Sequence, residues 1–165
     1  MAMTVHVWVK GDVSGDIMGD STIMSMDREN SIEAFKFESS VQTPRGTVDI
    51  ASGERTHSPL TITKRIDRSS PILHQALCTN EVVEVTIKFY RPNPSGDGTT
   101  EQFYAIKLEE GRISSIKTIS PNCVDDSTSM LPAMEEVSFI FGKITWTYSS
   151  GDANTEFEDH WSQRS

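Results

Sequence analysis

The sequence is short of cysteine, of long apolar runs and of positive charge, and each shortage argues against a class of function. Two cysteines, Cys78 and Cys123, occur in 165 residues. They lie far apart, so neither a disulfide scaffold nor the paired spacing of a zinc site is indicated, and both read as buried or idle thiols. No stretch approaches the roughly 20 apolar residues that a membrane-crossing helix needs. Residues 1–10 hold no long apolar run and no cleavage site after small residues, so a cleaved leader is not expected. The one sequon-like triplet, Asn93-Pro94-Ser95, is blocked by its proline. The 15 Lys and Arg stand against 24 Asp and Glu, a net charge of −9. That balance repels phosphate backbones and anionic lipid, which sets nucleic acid and membrane insertion aside. A soluble chain made in the cytoplasm is the expectation, and export would need a route other than a cleaved leader.

Catalytic motifs are equally scarce. None of the four histidines, His6, His57, His74 and His160, sits in a nucleophile motif such as G-x-S-x-G. Ser114-Ser115-Ile116-Lys117 matches S-x-x-K, but on a strand positions three apart face opposite ways, and the companion motifs are missing. Asp12, Asp16 and Asp20 lack the every-second-residue spacing and the closing Glu of a calcium loop. Gly96-Asp97-Gly98 lacks the Lys-Ser/Thr that turns a glycine-rich bend into a phosphate cradle. The expectation is therefore no catalytic, metal-binding or cofactor-binding residue, and no cofactor.

What the chain does contain is alternation. Val5, Val7 and Val9 point one way and His6, Trp8 and Lys10 the other. Phe35 and Phe37 share a face of a run from Ile32 to Val41, and Leu60, Ile62 and Ile66 alternate with Thr61, Thr63 and Arg65. Val83, Val85, Ile87 and Phe89 form the clearest strand. Tyr104, Ile106 and Leu108 follow, and Glu110-Gly111 is expected to turn the chain back into Arg112 to Ile119. In the last long strand, from about Glu136 to Tyr148, the apolar parity flips around Gly142, as a bulge requires. One segment is helical: Ser70 as N-cap and Pro71 at the first helical position open Ile72 to Thr79, and Asn80 stops it. Together these predict a mainly β fold, a two-sheet barrel or sandwich with one short helix packed on its side. Residues 1–148 would form the β-barrel domain. Residues 149–165 would form a polar acidic tail, either flexible or tied down by Phe157 and Trp161.

Five ordered segments carry a family likeness. Val5-His6-Val7-Trp8-Val9-Lys10 before a Gly/Asp loop is the first, and Asp27-Arg28-Glu29-Asn30-Ser31-Ile32-Glu33 the second. The third is Gly53-Glu54-Arg55-Thr56-His57-Ser58-Pro59 running into Thr63-Lys64-Arg65-Ile66-Asp67 and Ser69-Ser70-Pro71. The fourth is Lys88-Phe89-Tyr90-Arg91, and the fifth Lys143-Ile144-Thr145-Trp146-Thr147-Tyr148 with Trp161 closing the tail. Along nearly its whole length, except Ser120 to Ala133, the chain resembles the Hcp (haemolysin-coregulated protein) family of type VI secretion tube proteins. The resemblance implies a barrel with a side helix, six copies of which close into a ring. Rings would stack into an inner tube, driven outward by sheath proteins, capped by a VgrG-type spike protein and carrying small effector proteins in the lumen.

Physical chemistry adds candidate residues. A head-to-tail ring hides strand edges by contacts that close on themselves. Trp8 and Trp146 are candidates for the subunit interface, since aromatic rings are enriched in interface cores, or else they fill the barrel core. The long connection from Val41 to Thr56 is the candidate ring-stacking loop, with Thr43, Pro44, Arg45, Gly46, Thr47 and Gly53 as its contact residues. The rival reading is a secreted β-sandwich that binds a ligand as a monomer. A fused toxin enzyme is set aside because only a short segment follows the last expected strand.

Overall fold

The computed structural model describes residues 3–45 and 54–161. Its main sheet begins with β1 (Val5–Gly11) and the short β2 (Gly15–Ile17), a hairpin in which Val9 faces Ile17. After a 3-10 turn at Ser25–Asp27 come β3 (Ile32–Glu38), a two-stranded ribbon of β4 (Val41–Gln42) and β5 (Thr56–His57), and β6 (Leu60–Arg65). The helix α1 (Ser70–Cys78) precedes β7 (Val83–Pro92), β8 (Thr100–Ile119), β9 (Met134–Ile140), β10 (Lys143–Ser150) and β11 (Ala153–His160).

Neighbours in the sheet run β11-β10-β8-β7-β1-β3-β6-β9, and β9 pairs again with β8. Six strands, β8, β7, β1, β3, β6 and β9, therefore pair in a closed ring, while β10 and β11 extend from β8 as a flap. Closure is made by the length of β8. Its first part pairs β7 and β10, with Ile106 opposite Ile87 and Trp146, and its second part pairs β9, with Ile116 opposite Val137. Glu110 and Gly111 therefore do not reverse the chain. Glu110 has φ +53°, and a Cβ on Gly111 would lie 2.8 Å from the Val83 carbonyl oxygen, so the pair bends β8 from one side of the ring to the other. The bend is matched across the ladder by Phe141 and Gly142, which separate β9 from β10 where the parity flips. The reversal itself lies in the connection Ser120–Ala133.

The inward face of this ring is the core. Val7, Ile32, Leu60, Ile62, Val85, Ile87, Leu108, Val137 and Phe139 are fully buried. Leu73 and Ala76 of α1 join the same cluster. The helix is capped by Ser69 rather than Ser70, and no side chain makes a capping bond there. Ser69 Oγ instead donates to Asp67, while Ser70 Oγ donates to Glu135 at 2.6 Å. At the other end Asn80 takes φ +55°, Glu81 N–H donates to the Ala76 carbonyl and Asn80 N–H to Leu77. This is a Schellman stop, as the sequence predicts for Asn80.

Two alternation readings fail locally. The pairing of β3 with β6 shifts register between Ala34 and Lys36, so Phe37 packs on the core while Phe35 is 40% exposed. On β6 the inward series is Leu60, Ile62 and then Lys64, because the strand ends at Arg65 and leaves Ile66 exposed. Lys64 is fully buried, directly opposite Glu135 of β9. Its ammonium donates to Glu135, to Ser70 Oγ at 3.2 Å and to the Arg65 carbonyl at 2.9 Å, with Asp67 Oδ1 at 3.1 Å. Both cysteines are exposed and unbonded rather than buried.

Candidate assembly surface

The flap carries the core pattern out to the surface. Directly opposed residues across antiparallel strands share a face, and one such row reads Val7, Ile87, Ile106, Trp146, Phe157. The first three are buried, Trp146 is half-buried, and Phe157 is 65% exposed. Trp146 packs on the core on one side and stacks on Phe157 on the other, with centroids 5.9 Å apart and planes 11° from parallel. Tyr104 and Tyr148, directly opposed, extend this aromatic shelf, and Glu156 borders it. Among the described residues β11 has one strand neighbour, β10, so its outer backbone groups form an open edge.

Phe157 and Trp161 tie down the acidic segment after β10. Gly151, at φ +58°, turns the chain so that β11 pairs along the whole of β10. Lys143 bridges Glu109 at 3.0 Å and Glu158 at 3.1 Å. These hydrogen bonds raise the Lys143 pKa, chiefly through Glu109, and hold Glu158 below the usual carboxylate range, chiefly through Lys143.

At the end of the flap, the β4–β5 ribbon is fastened to β11. Arg55 grips Asp159 with Nε at 2.6 Å and a second guanidinium nitrogen at 2.7 Å, and His57 Nε2 lies 2.7 Å from the same carboxylate. The Asp159 pKa is lowered, first by the Arg55 hydrogen bond. His57 is boxed by Phe141, Trp146 and Trp161, with centroids 5.4, 6.2 and 4.9 Å away. This clamp holds the base of the 43–55 connection. Of the candidate stacking residues, Thr43 is half-buried and Pro44 and Arg45 are exposed; Gly46, Thr47 and Gly53 lie outside the described residues. Spacing alone gives no sign of the clamp, since its partners are about a hundred residues apart in sequence.

Trp8 lies on the opposite face from Trp146. Its row runs Trp8, Thr86, Lys107, Thr145, Glu158, and Lys88 Nζ sits 4.9 Å over its ring. Beside it His6 is fully buried against Tyr90 and Ser31. Ser31 Oγ gives its proton to the Arg28 carbonyl at 2.7 Å, so His6 Nδ1–H must donate to Ser31 Oγ at 2.8 Å. Such a serine is neither activated nor reachable by a substrate, although the pair has the residue types of a nucleophile and its base. Among the described residues no group of His, Cys, Asp and Glu could hold a metal ion.

The comparisons with known proteins agree with one another. The family described as "Type VI secretion system effector, Hcp" matches residues 7–148. A curated relative, "Major exported protein" of Pseudomonas aeruginosa, is 38% identical over 111 residues, which is 67% of this chain and 62% of that protein. The match thus spans less than two thirds of the relative's length. Among solved structures, a mutant Hcp1 protein from E. coli EAEC 042 superposes with TM-score 0.80 at 30% identity, covering 97% of this chain and 99% of the other. The "Secreted protein Hcp3" of Pseudomonas aeruginosa gives TM-score 0.76 at 27% identity, covering 99% of this chain and all of the other.

Proposed function

The chain belongs to the Hcp family of type VI secretion, and from that premise we propose that it is a structural subunit of the secretion tube, working by assembly rather than catalysis. Six copies close into a ring, rings stack into a tube, and the tube is exported. Small effector proteins travel in the lumen, a VgrG-type spike caps the tube, and the sheath drives it. Residues 1–148 form the ring-building domain, and the segment from 149 onward adds the flap strand to it.

The observation that carries the reading is the flap: an apolar row that continues from the core into an exposed aromatic shelf, beside an open strand edge. Exposed aromatic area next to unpaired backbone groups is costly on a monomer and is relieved by identical neighbours around a closed ring. Gel filtration with light scattering tests it. A mass of six chains supports the ring, and a single-chain mass at every concentration refutes it in favour of the monomeric ligand-binding sandwich. Export is tested by following the protein into the medium in cells with and without a working sheath; equal release in both would contradict the tube.

A further inference from the structure

The last strand does more than widen the sheet, because three residues along one of its faces close around a single histidine. Alternate residues of a strand point the same way; on β11 Phe157 and Asp159 are such a pair, and Trp161 follows two positions on. Asp159 lies 2.7 Å from His57 Nε2, and the Trp161 ring meets the His57 ring edge-on at 4.9 Å. Phe157 stacks on Trp146, which in turn stacks on His57 with centroids 6.2 Å apart and planes 23° from parallel. Phe157, Trp146 and His57 therefore form one column of rings, open to solvent at Phe157 and closed at His57, whose side chain is 4% exposed. His57 belongs to the β4–β5 ribbon, which shares no ladder with the main sheet and has two residues in each strand. A ribbon of that length does not hold itself in water. Its internal bonds are few: the Ser58 N–H donates to the Ser40 carbonyl at 3.0 Å and the Ser40 N–H to Ser58 Oγ at 3.1 Å. Its charged tie to the rest of the chain is Asp159, which holds His57 and two nitrogens of Arg55 at once.

We propose that β11 is a strap: laid along β10, it locks the β4–β5 ribbon in place through Asp159 and the ring column, and when it lifts the ribbon is released with it. Three features carry this. The lock is shielded, with Asp159 13% and His57 4% exposed at the side chain, so its charge-assisted bonds are stronger than those of a surface pair. The column is a lever, since Phe157 at its open end reaches His57 through Trp146, and a change at the flap surface is felt at the ribbon. The strap has one strand neighbour among the described residues, β10, and an element held along one side opens as a unit before the core does. One consequence rests on the tube reading above: the ribbon is the base of the connection assigned to stacking, so β11 must be laid down before that base is in place for a neighbouring ring.

Hydrogen exchange at single-amide resolution decides it, on Asp159→Asn, His57→Gln, the double variant and Phe157→Ser, at one protomer concentration and with far-UV circular dichroism to confirm that each folds. Ser58 N–H reports on the ribbon, Trp161 N–H, which donates to the Gly142 carbonyl at 2.7 Å, reports on the strap, and Val85 and Ile87 report on the core. Asp159→Asn is expected to speed exchange at Ser58 and Trp161 together by about tenfold, with Val85 and Ile87 unchanged. His57→Gln should do the same, and the double variant should exceed neither single by much, because the two residues act as one lock. Phe157→Ser should speed Ser58 by about threefold, although the ring that it removes stacks on Trp146 and not on the ribbon. Ser58 exchange unchanged in Asp159→Asn or in Phe157→Ser would overturn the strap, as would full additivity in the double variant. An equal rise at Val85 and Ile87 would mean global opening and would overturn it too. For the consequence, Asp159→Asn should form rings that stack into shorter assemblies in sedimentation; rings that stack as the wild type does, or rings lost altogether, would overturn that coupling. The exchange experiment needs no ring, so a wild-type protein that never assembles would sink the tube reading and leave the strap to its own test.

Discussion

The buried Lys64–Glu135 pair offers a sharp test of how the strand ring is held shut. Both side chains are within 1% of complete burial and face each other across β6 and β9. Ser70 of α1 and Asp67 of the preceding turn join the cluster, so one charge network ties two strands to the helix. Among the described residues, Glu135→Leu leaves the Lys64 ammonium with Asp67 as its one nearby carboxylate, and Lys64→Met takes away the cation that Glu135 and Asp67 share. Breaking a buried pair from one side costs about 3–5 kcal/mol, whereas replacing both partners by apolar groups of similar volume is close to neutral. Each single variant is therefore expected to lose about 3 kcal/mol or more. At about 2–4 °C per kcal/mol for a chain of this size, that is roughly 10 °C in thermal midpoint. The double variant Lys64→Met/Glu135→Leu should recover at least half of the loss. Urea unfolding at one low protomer concentration measures all four proteins, because any assembly would add to apparent stability. Single variants that each cost less than about 1 kcal/mol, or a double variant that costs the sum of both, would refute the reasoning.

Glu81 Oε1 accepts the Val13 and Ser14 N–H groups at 2.6 Å and Oε2 accepts the Ser14 hydroxyl at 2.8 Å, which pins the β1–β2 turn. Glu81→Gln is expected to cost about 2 kcal/mol from the lost charge-assisted bonds, measured by urea unfolding at pH 7. These bonds, the Ser14 N–H foremost, hold the Glu81 pKa below 4.5, so its stabilisation is complete above that value and is lost as pH falls through the lower folded value; the variant should lose less stability on acidification. His6 is shifted down from 6.5, first by burial, with Glu33 opposing and Arg28 adding to the shift. The unfolded chain therefore takes up this proton first, and stability is full above about pH 6.5 and falls as pH drops toward the folded value. His6→Gln should flatten that part of the unfolding profile, and an unchanged slope between pH 7 and 5 would contradict it. Deletion of Thr43 to Gly53 should leave rings but abolish their stacking, seen as short assemblies in sedimentation; loss of the rings themselves would count against a stacking role.

The strands and the helix were legible because they obey local rules. Val5, Val7 and Val9, like Val83, Val85 and Ile87, are buried at every second position, and Asn80 carries the left-handed stop that its residue type favours. The failures share one cause, pairing between distant segments. Glu110-Gly111 has the chemistry of a hairpin turn and of a bend, and the choice is made by β7 and β9, which hold the two parts of β8 in different places. Phe35 turns outward because of a register shift that only the β6 partner reveals. Lys64 extends an inward series because Glu135 waits opposite, a match invisible without the register. For Trp146 the sequence leaves core and interface both open, and the structure places it half-buried, packed inward on the core and outward on Phe157 of the same chain. The His57–Arg55–Asp159 clamp joins residues about a hundred positions apart, so no local pattern could announce it.

The proposed ring requires that the exposed shelf and open edge of the flap be satisfied by identical neighbours around a hole. Negative-stain electron microscopy of the purified protein tests it most directly. The account predicts closed annular particles with an open centre, single or in short stacks. A field of small compact particles, one chain each, at high concentration and low salt would contradict it.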